Sequence, residues 1–204
     1  MATKKEQLKK LNTEMLACSK CALRQGCTQV VPGAGSAEAN ILFIGEAPGK
    51  KEDETGEPFV GAAGKFLNEM LGTIKLKRED VYIANVCKCR PPENRDPLPK
   101  EVAACWPWLL AQIKTIQPKL IVTLGRHSME RFLPGFKISE VHGKALRKEI
   151  EGMGKANLPA GRQVFYTLYH PAAALYNGSM RETLIKDFKL IPKIIAKIEQ
   201  EEIR

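Results

Sequence analysis

The sequence predicts an α/β domain in three layers, with helices over both faces of a four-stranded parallel sheet. Three observations lead there. Short apolar runs alternate with longer segments of helical period, the order that gives right-handed crossovers and parallel pairing. The runs are predominantly apolar, as in ILFIG from Ile41 and LIVTL from Leu120, which is how strands covered on both faces read. Where the runs end stand Glu46, Asn85, Gly125 and His170, on the sheet edge that holds ligands in open α/β folds.

A first helix is expected from Lys4 to Ala17, with Leu8, Leu11, Met15 and Leu16 on one stripe, ending at the turn Cys18-Ser-Lys-Cys21. The strand Ile41–Glu46 feeds a loop whose carboxylates Glu52, Asp53, Glu54 and Glu57 read as a solvated charge run. A helix from Ala62 to Ile74 leads to the strand Val81–Asn85 and then to a proline-rich loop starting at Cys89. Next come a helix from Lys100 to Ile116, the strand Leu120–Leu124 and a short helix from Arg126 to Phe132. Residues 136–163 carry scattered glycines and weak periodicity, and read as a hairpin or a variable loop. The fourth strand, VFYTLYH, ends at His170, and one last helix is expected from Met180 to Glu199.

Composition narrows the class. With 44% hydrophobic and 27% charged residues in 204, the chain is sized and balanced for one soluble domain over residues 1–204. Lys and Arg number 32 against 23 Asp and Glu, a net charge of +9 that suits a polyanionic partner, since each neutralised phosphate releases counterions. No apolar stretch is long enough for a bilayer and the N-terminus has no signal-like core, so no membrane contact and a cytoplasmic protein are expected; a monomer is expected as well. In that reducing compartment the six cysteines are not read as disulfides.

Cys18, Cys21, Cys89 and Cys105 are spaced Cys-x2-Cys, a gap of 67 residues, then Cys-x15-Cys. Two thiolates on a turn and two from elsewhere suit either a tetrahedral zinc ion or an iron–sulfur cubane. Cys27 and Cys87 read as small buried hydrophobes, and Trp106 and Trp108 as core or as shielding for the metal. His127 and His142 read as structural. Phe59, between Pro58 and Val60-Gly61 in a polar loop, lacks an obvious core to join.

The segments GEAPG (Gly45–Gly49), VYIANVCKCRPPENR (Val81–Arg95) and YHPAA (Tyr169–Ala173), in this order, resemble the family 4 uracil-DNA glycosylases. The resemblance runs from Cys18 to the last helix. It implies a three-layer sandwich with four parallel strands, uracil-containing DNA as partner, and a [4Fe–4S] cluster on Cys18, Cys21, Cys89 and Cys105. It also implies that Gly45, Glu46, Ala47 and Gly49 belong to the first active-site motif, that Phe59 stacks on a flipped uracil, that Asn85 reads its O4 and N3 edge, and that His170 sits against O2. The imidazole could act neutral or charged. The family 1 enzymes read GQDPYH here, so their water-directing Asp is Ala47 and their thymine-excluding Tyr is Gly49. Glu46 or a main-chain group is then left to place the water, and Glu52 to fold over the gap at Gly49. The stretch from Glu151 to Gln163 is longer than the family usually has, and reads as a surface insertion. Two other functions fit parts of the pattern: a zinc-bound nucleic-acid module, which leaves Asn85 and His170 idle, and a nucleotide hydrolase, which needs the acidic loop to bind metal.

Overall fold

A computed structural model describes residues 2–154 and 162–202. Among them lies one sheet of six strands: β1 (Ala34–Gly35), β2 (Ile41–Gly45), β3 (Tyr82–Asn85), β4 (Leu120–Leu124), β5 (Ala145–Lys148) and β6 (Gln163–Leu168). Their order is β1-β3-β2-β4-β6-β5. The four inner strands are the expected parallel set, with β2 flanked by β3 and β4, and β4 paired to β6. The sheet is nevertheless mixed and six-stranded, not four-stranded, because β1 and β5 pair antiparallel at the two edges. Neither edge had a strand signature. β1 has only two residues, and β5 has one half-buried side chain among exposed ones, so neither shows an apolar run.

The inner strands are buried along their whole length, and alternate side chains feed two separate cores. Leu42, Ile44, Tyr82, Ala84, Ile121 and Phe165 meet helices α1 (Lys4–Leu16), α5 (Pro99–Ile116) and α6 (Arg126–Phe132), with α2 (Leu23–Gly26) and α7 (Ile138–Val141) beside them. Ile41, Phe43, Ile83, Val122, Tyr166 and Leu168 meet α4 (Ala62–Thr73), α8 (Gly178–Phe188) and α9 (Ile191–Glu202) on the other face. This period of two along each strand makes the three layers.

Three local expectations need correcting. Leu16 is 53% exposed, while Leu8 and Met15 are buried; at about 100° per residue it stands roughly 80° off the Leu8 stripe. The last helix is two, broken at Lys189 and Leu190, because Pro192 has no N–H to give Phe188 and its ring crowds that carbonyl. The acidic loop contains a short helix, α3 (Lys50–Thr55), and is not simply solvated. Asp53 is buried there and accepts the main-chain N–H groups of Thr28 and Gln29 at 2.9 and 3.3 Å, tying the segment after Cys27 to the active loop. Of the expected insertion, residues 155–161 lie outside the described residues, whereas Met153 packs into the first core. No helix among the described residues is long and apolar enough to cross a membrane.

Candidate active site

The parallel strands end together, and register brings Gly45 beside Asn85. A cavity of about 480 Å³ opens over this edge, lined by Glu46, Ala47, Gly49, Glu52, Phe59, Asn85 and His170, with Arg95 and Leu175 among its other walls. Gly45 itself lies under the floor. A Cβ there would collide with the Asn85 amide oxygen and come within 2.7 Å of the Phe59 ring, so only glycine lets both side chains close over the strand. The residues singled out in the sequence thus converge on one place.

Asn85 is 2% exposed, and its Oδ1 is buried with no hydrogen-bond partner among the described residues. A buried amide left in that condition costs about 1–3 kcal/mol unless a ligand completes it. The Phe59 ring lies 5.7 Å from the His170 ring, tilted by 32°. Phe59 holds a left-handed backbone, φ +54°, a conformation that costs a bulky residue about 1–3 kcal/mol. Contrary to expectation, Phe59 does join a core: it is buried and packs into the second hydrophobic cluster while also lining the cavity.

His170 follows β6 and opens the turn Pro171–Leu175. The N–H of Ala172 donates to its Nδ1 at 3.2 Å, so Nδ1 holds a lone pair and the neutral ring carries its proton on Nε2. Burial lowers its pKa to about 4, an effect the nearby Glu52 carboxylate only partly offsets. Both effects favour the neutral imidazole at physiological pH.

Glu46 is half-buried at the end of β2, and its pKa is raised, first by burial, against the lowering effect of His127. Glu52 Oε1 accepts from Val60 N and Gly61 N, both at 2.9 Å. Its other oxygen would lie 2.9 Å from a Cβ on Gly49, so the carboxylate covers the space that this glycine leaves open. His127 stands near the surface, as expected, taking a hydrogen bond from Arg126 Nε at 3.0 Å and lying 3.2 Å from Asp96. His142 pairs with Asp187 at 2.8 Å and packs on Tyr169.

The four spaced cysteines meet at a second, small apolar void between α1, α2 and α5, walled by Met15, Leu23, Val30 and Trp108. Two N–H groups point at their sulfurs, Lys88 N to Cys105 at 3.2 Å and Trp108 Nε1 to Cys18 at 3.3 Å. The Cys105 pKa is pushed down to about 7, first by donation from Cys87 and then by the Lys88 charge and N–H, while burial opposes. Trp108 thus shields this void, and Trp106 packs elsewhere, against Phe132 and Arg131. Cys27 and Cys87 are buried beside the four. Among the described residues, the trio of metal-ligating atoms drawn within 4.8 Å of one another is Glu46, Asp96 and His127, where the imidazole lone pair is already taken by Arg126. No three of the cysteine sulfurs approach so closely.

Sequence reasoning missed four polar residues around the cavity. Lys88 is fully buried, donating to Asn85 O at 2.8 Å and to Gln112 Oε1 at 2.7 Å. Arg95 at the mouth is held by two bonds to buried Glu101, at 2.9 and 2.7 Å. Arg78 bonds the carbonyls of Pro58 and Phe59. A lone lysine between two cysteines in an otherwise apolar run was a readable signal; Arg78, Arg95 and Glu101 had none.

Comparison with known proteins shows the family. Residues 32–198 match the Uracil DNA glycosylase superfamily. The chain is 47% identical to the type-4 uracil-DNA glycosylase of Archaeoglobus fulgidus, over 94% of its length and 95% of the relative's. It is 45% identical to that of Sulfurisphaera tokodaii over 93% of its length and 85% of the relative's, and 41% identical to that of Thermotoga maritima over 97% and 99%.

Proposed function

The chain belongs to the uracil DNA glycosylase superfamily as a type-4 uracil-DNA glycosylase, and from that premise we propose how its residues share the work of excising uracil. The enzyme is a DNA glycosylase that removes uracil from DNA. We assign the reading of the base to Asn85, the stacking to Phe59 and the support of the leaving group to His170. The observation that carries this assignment is the buried Asn85 amide oxygen, unpartnered among the described residues, in a cavity that His170 also lines.

A carboxamide offers an acceptor and donors side by side, matching the N3–H and O4 of uracil; cytosine presents the reverse pattern and leaves both sides unpaired. Flipping the base out of the stack costs a few kcal/mol, offset by stacking on Phe59, the pocket hydrogen bonds and phosphate contacts of a chain with net charge +9. The bond between C1′ and N1 then breaks with its electron pair going to the base, so the sugar gains positive charge and the uracil ring becomes an anion. The Nε2–H of His170 faces the developing charge on O2 and stabilises it without itself changing charge. Water adds to C1′, and its proton passes to Glu46, whose raised pKa suits a base. Glu52 closes the C5 side of the pocket above Gly49.

Cys18, Cys21, Cys89 and Cys105 are proposed to hold a [4Fe–4S] cluster. Two N–H groups aimed at sulfurs of this apolar void, Lys88 N at Cys105 and Trp108 Nε1 at Cys18, support this reading. Bound there, the cluster supplies a covalent tie between the Cys18 turn, the Cys89 loop and α5; no chemical step passes through it. The enzyme is read as a monomer, one domain over residues 1–204, acting in the cytoplasm. Incubating it with a uracil-containing oligonucleotide and scoring alkali-labile abasic sites for wild type and Asn85→Ala tests the assignment. Equal cleavage by both removes Asn85 from the pocket.

A further inference from the structure

We propose that Arg78 is a positioning residue for uracil excision, acting through Phe59: its guanidinium fixes the peptide planes on both sides of the Phe59 Cα and so holds the ring against Gly45. This inference rests on the reading of Phe59 as the surface on which the base stacks.

The backbone around Phe59 has few ways to hold itself. Its left-handed φ of +54° takes it out of any helix or strand, and none of its neighbours Pro58, Val60 and Gly61 belongs to a regular element. Arg78, on a single turn just before β3, supplies what is missing. Nη2 donates to Pro58 O at 2.5 Å and Nη1 to Phe59 O at 3.1 Å. Those carbonyls belong to the peptide planes before and after the Phe59 Cα, and the angle between the planes is what φ and ψ describe. A rigid planar fork that grips both sets the torsions, and a flexible ammonium could not.

The rest of the surroundings complete the grip. Nη1 also donates to Asn68 Oδ1 at 3.2 Å, anchoring the fork to α4. Gly64 on that helix lies so close that a Cβ would run into the Phe59 carbonyl, which leaves this oxygen no room to turn away from Arg78. Glu52 takes the N–H groups of Val60 and Gly61 from the opposite side. The Glu57 and Glu52 carboxylates face the guanidinium and favour its charge, against the lowering effect of burial.

The experiment is a double-mutant cycle on the full-length enzyme. Excision from a uracil oligonucleotide, inhibition by free uracil, DNA affinity and melting temperature are measured for wild type, Phe59→Ala, Arg78→Met and the double variant. Base–aromatic stacking sets the expected loss for Arg78→Met at about ten- to a hundredfold in excision, with a similar weakening of free-uracil inhibition and little change in DNA affinity. In the Phe59→Ala background the same substitution should cost less than about threefold, because the ring it positions is gone. Equal losses in both backgrounds, or a lower melting temperature with full excision and unchanged uracil inhibition, overturn the proposal. Should Arg78→Met not fold, Arg78→Lys keeps the charge without the fork and is judged by the same readouts. A Phe59→Ala enzyme of wild-type activity overturns the stacking reading instead, and the two failures are therefore distinct.

Discussion

The ammonium of Lys88 lies inside the protein and donates to the main-chain carbonyl of Asn85 at 2.8 Å. It stands between Cys87 and Cys89, and its own N–H reaches Cys105. One residue therefore joins the cysteine void, through its main-chain N–H, to the end of β3, through its side chain. The bond fixes where the Asn85 backbone stops, and with it the position from which the carboxamide projects.

Lys88→Met leaves the Asn85 carbonyl and Gln112 Oε1 buried without this donor, at about 1–3 kcal/mol for each group. The expected outcome is a lower melting temperature together with a loss of excision larger than any loss of DNA affinity. Thermal melts and single-turnover kinetics check it. Wild-type values in both would mean that the bond neither stabilises nor positions.

Asn85→Ala and His170→Ala should each lower excision by at least about a hundredfold, the scale of losing one donor aimed at developing charge. DNA affinity should stay within a few-fold of wild type, because phosphate contacts carry most of it. Fluorescence anisotropy and single-turnover cleavage separate the two effects. Loss of binding in step with excision would make these residues structural.

Much of the site was legible because its residues sit at strand ends in short motifs: Glu46 after β2, Asn85 closing β3 and His170 after β6 each follow a buried apolar run. The inner parallel strands were legible for the same reason. What stayed hidden acts across long sequence distances. Arg78 reaches Phe59 from 19 residues away and Gln112 reaches Lys88 from 24, contacts that only the folded sheet creates. The edge strand β5 lacks an apolar run, so its segment read only as a hairpin or a variable loop, and its antiparallel pairing with β6 is the hairpin alternative.

The pH profile should assign the proton carriers. The folded pKa of His170 is about 4 against an ordinary 6.5, so the unfolded chain binds more protons between these values. Its contribution to stability is complete above 6.5 and declines as pH falls toward 4. Glu46 has the opposite sign. Its folded value lies above 4.5, so it favours the fold below 4.5 and less so as pH rises through that folded value. Falling from neutral pH, excision should first meet the protonation of Glu46. An acid limb whose midpoint exceeds 4.5, absent in Glu46→Gln, is expected from single-turnover rates. An identical limb in Glu46→Gln would assign it to another group.

Cys89→Ala or Cys105→Ala should give colourless, iron-poor protein from an otherwise brown preparation. A cluster held by the four sulfurs would tie the turn after α1 to the Cys89 loop and α5, so its loss should lower the melting temperature before it alters excision. Iron analysis, visible absorbance and thermal melts check this. Iron-free, zinc-loaded wild-type enzyme with full solubility and activity would rule out the cluster.

Thymine differs from uracil by one methyl group at C5, and a soft apolar pocket separates ligands differing by one methylene by only about 1–3 kcal/mol. A firmer barrier is needed, and Gly49 has no side chain to provide one. Glu52 is placed to do so, with one oxygen over Gly49 and the other held by Val60 N and Gly61 N. Those two bonds keep the carboxylate from swinging aside when a methyl group presses on it, and the same bonds brace the Phe59 loop. Glu52→Ala therefore removes both wall and brace, and should lower uracil excision while raising thymine excision opposite guanine, where weak pairing eases flipping. The uracil-to-thymine ratio is the decisive quantity. Glu52→Gln keeps the bulk and an acceptor oxygen for the loop, so it should preserve the ratio far better than alanine does. A ratio unchanged in Glu52→Ala would move the barrier to the main chain at Gly49, leaving Glu52 as a brace for Phe59 alone.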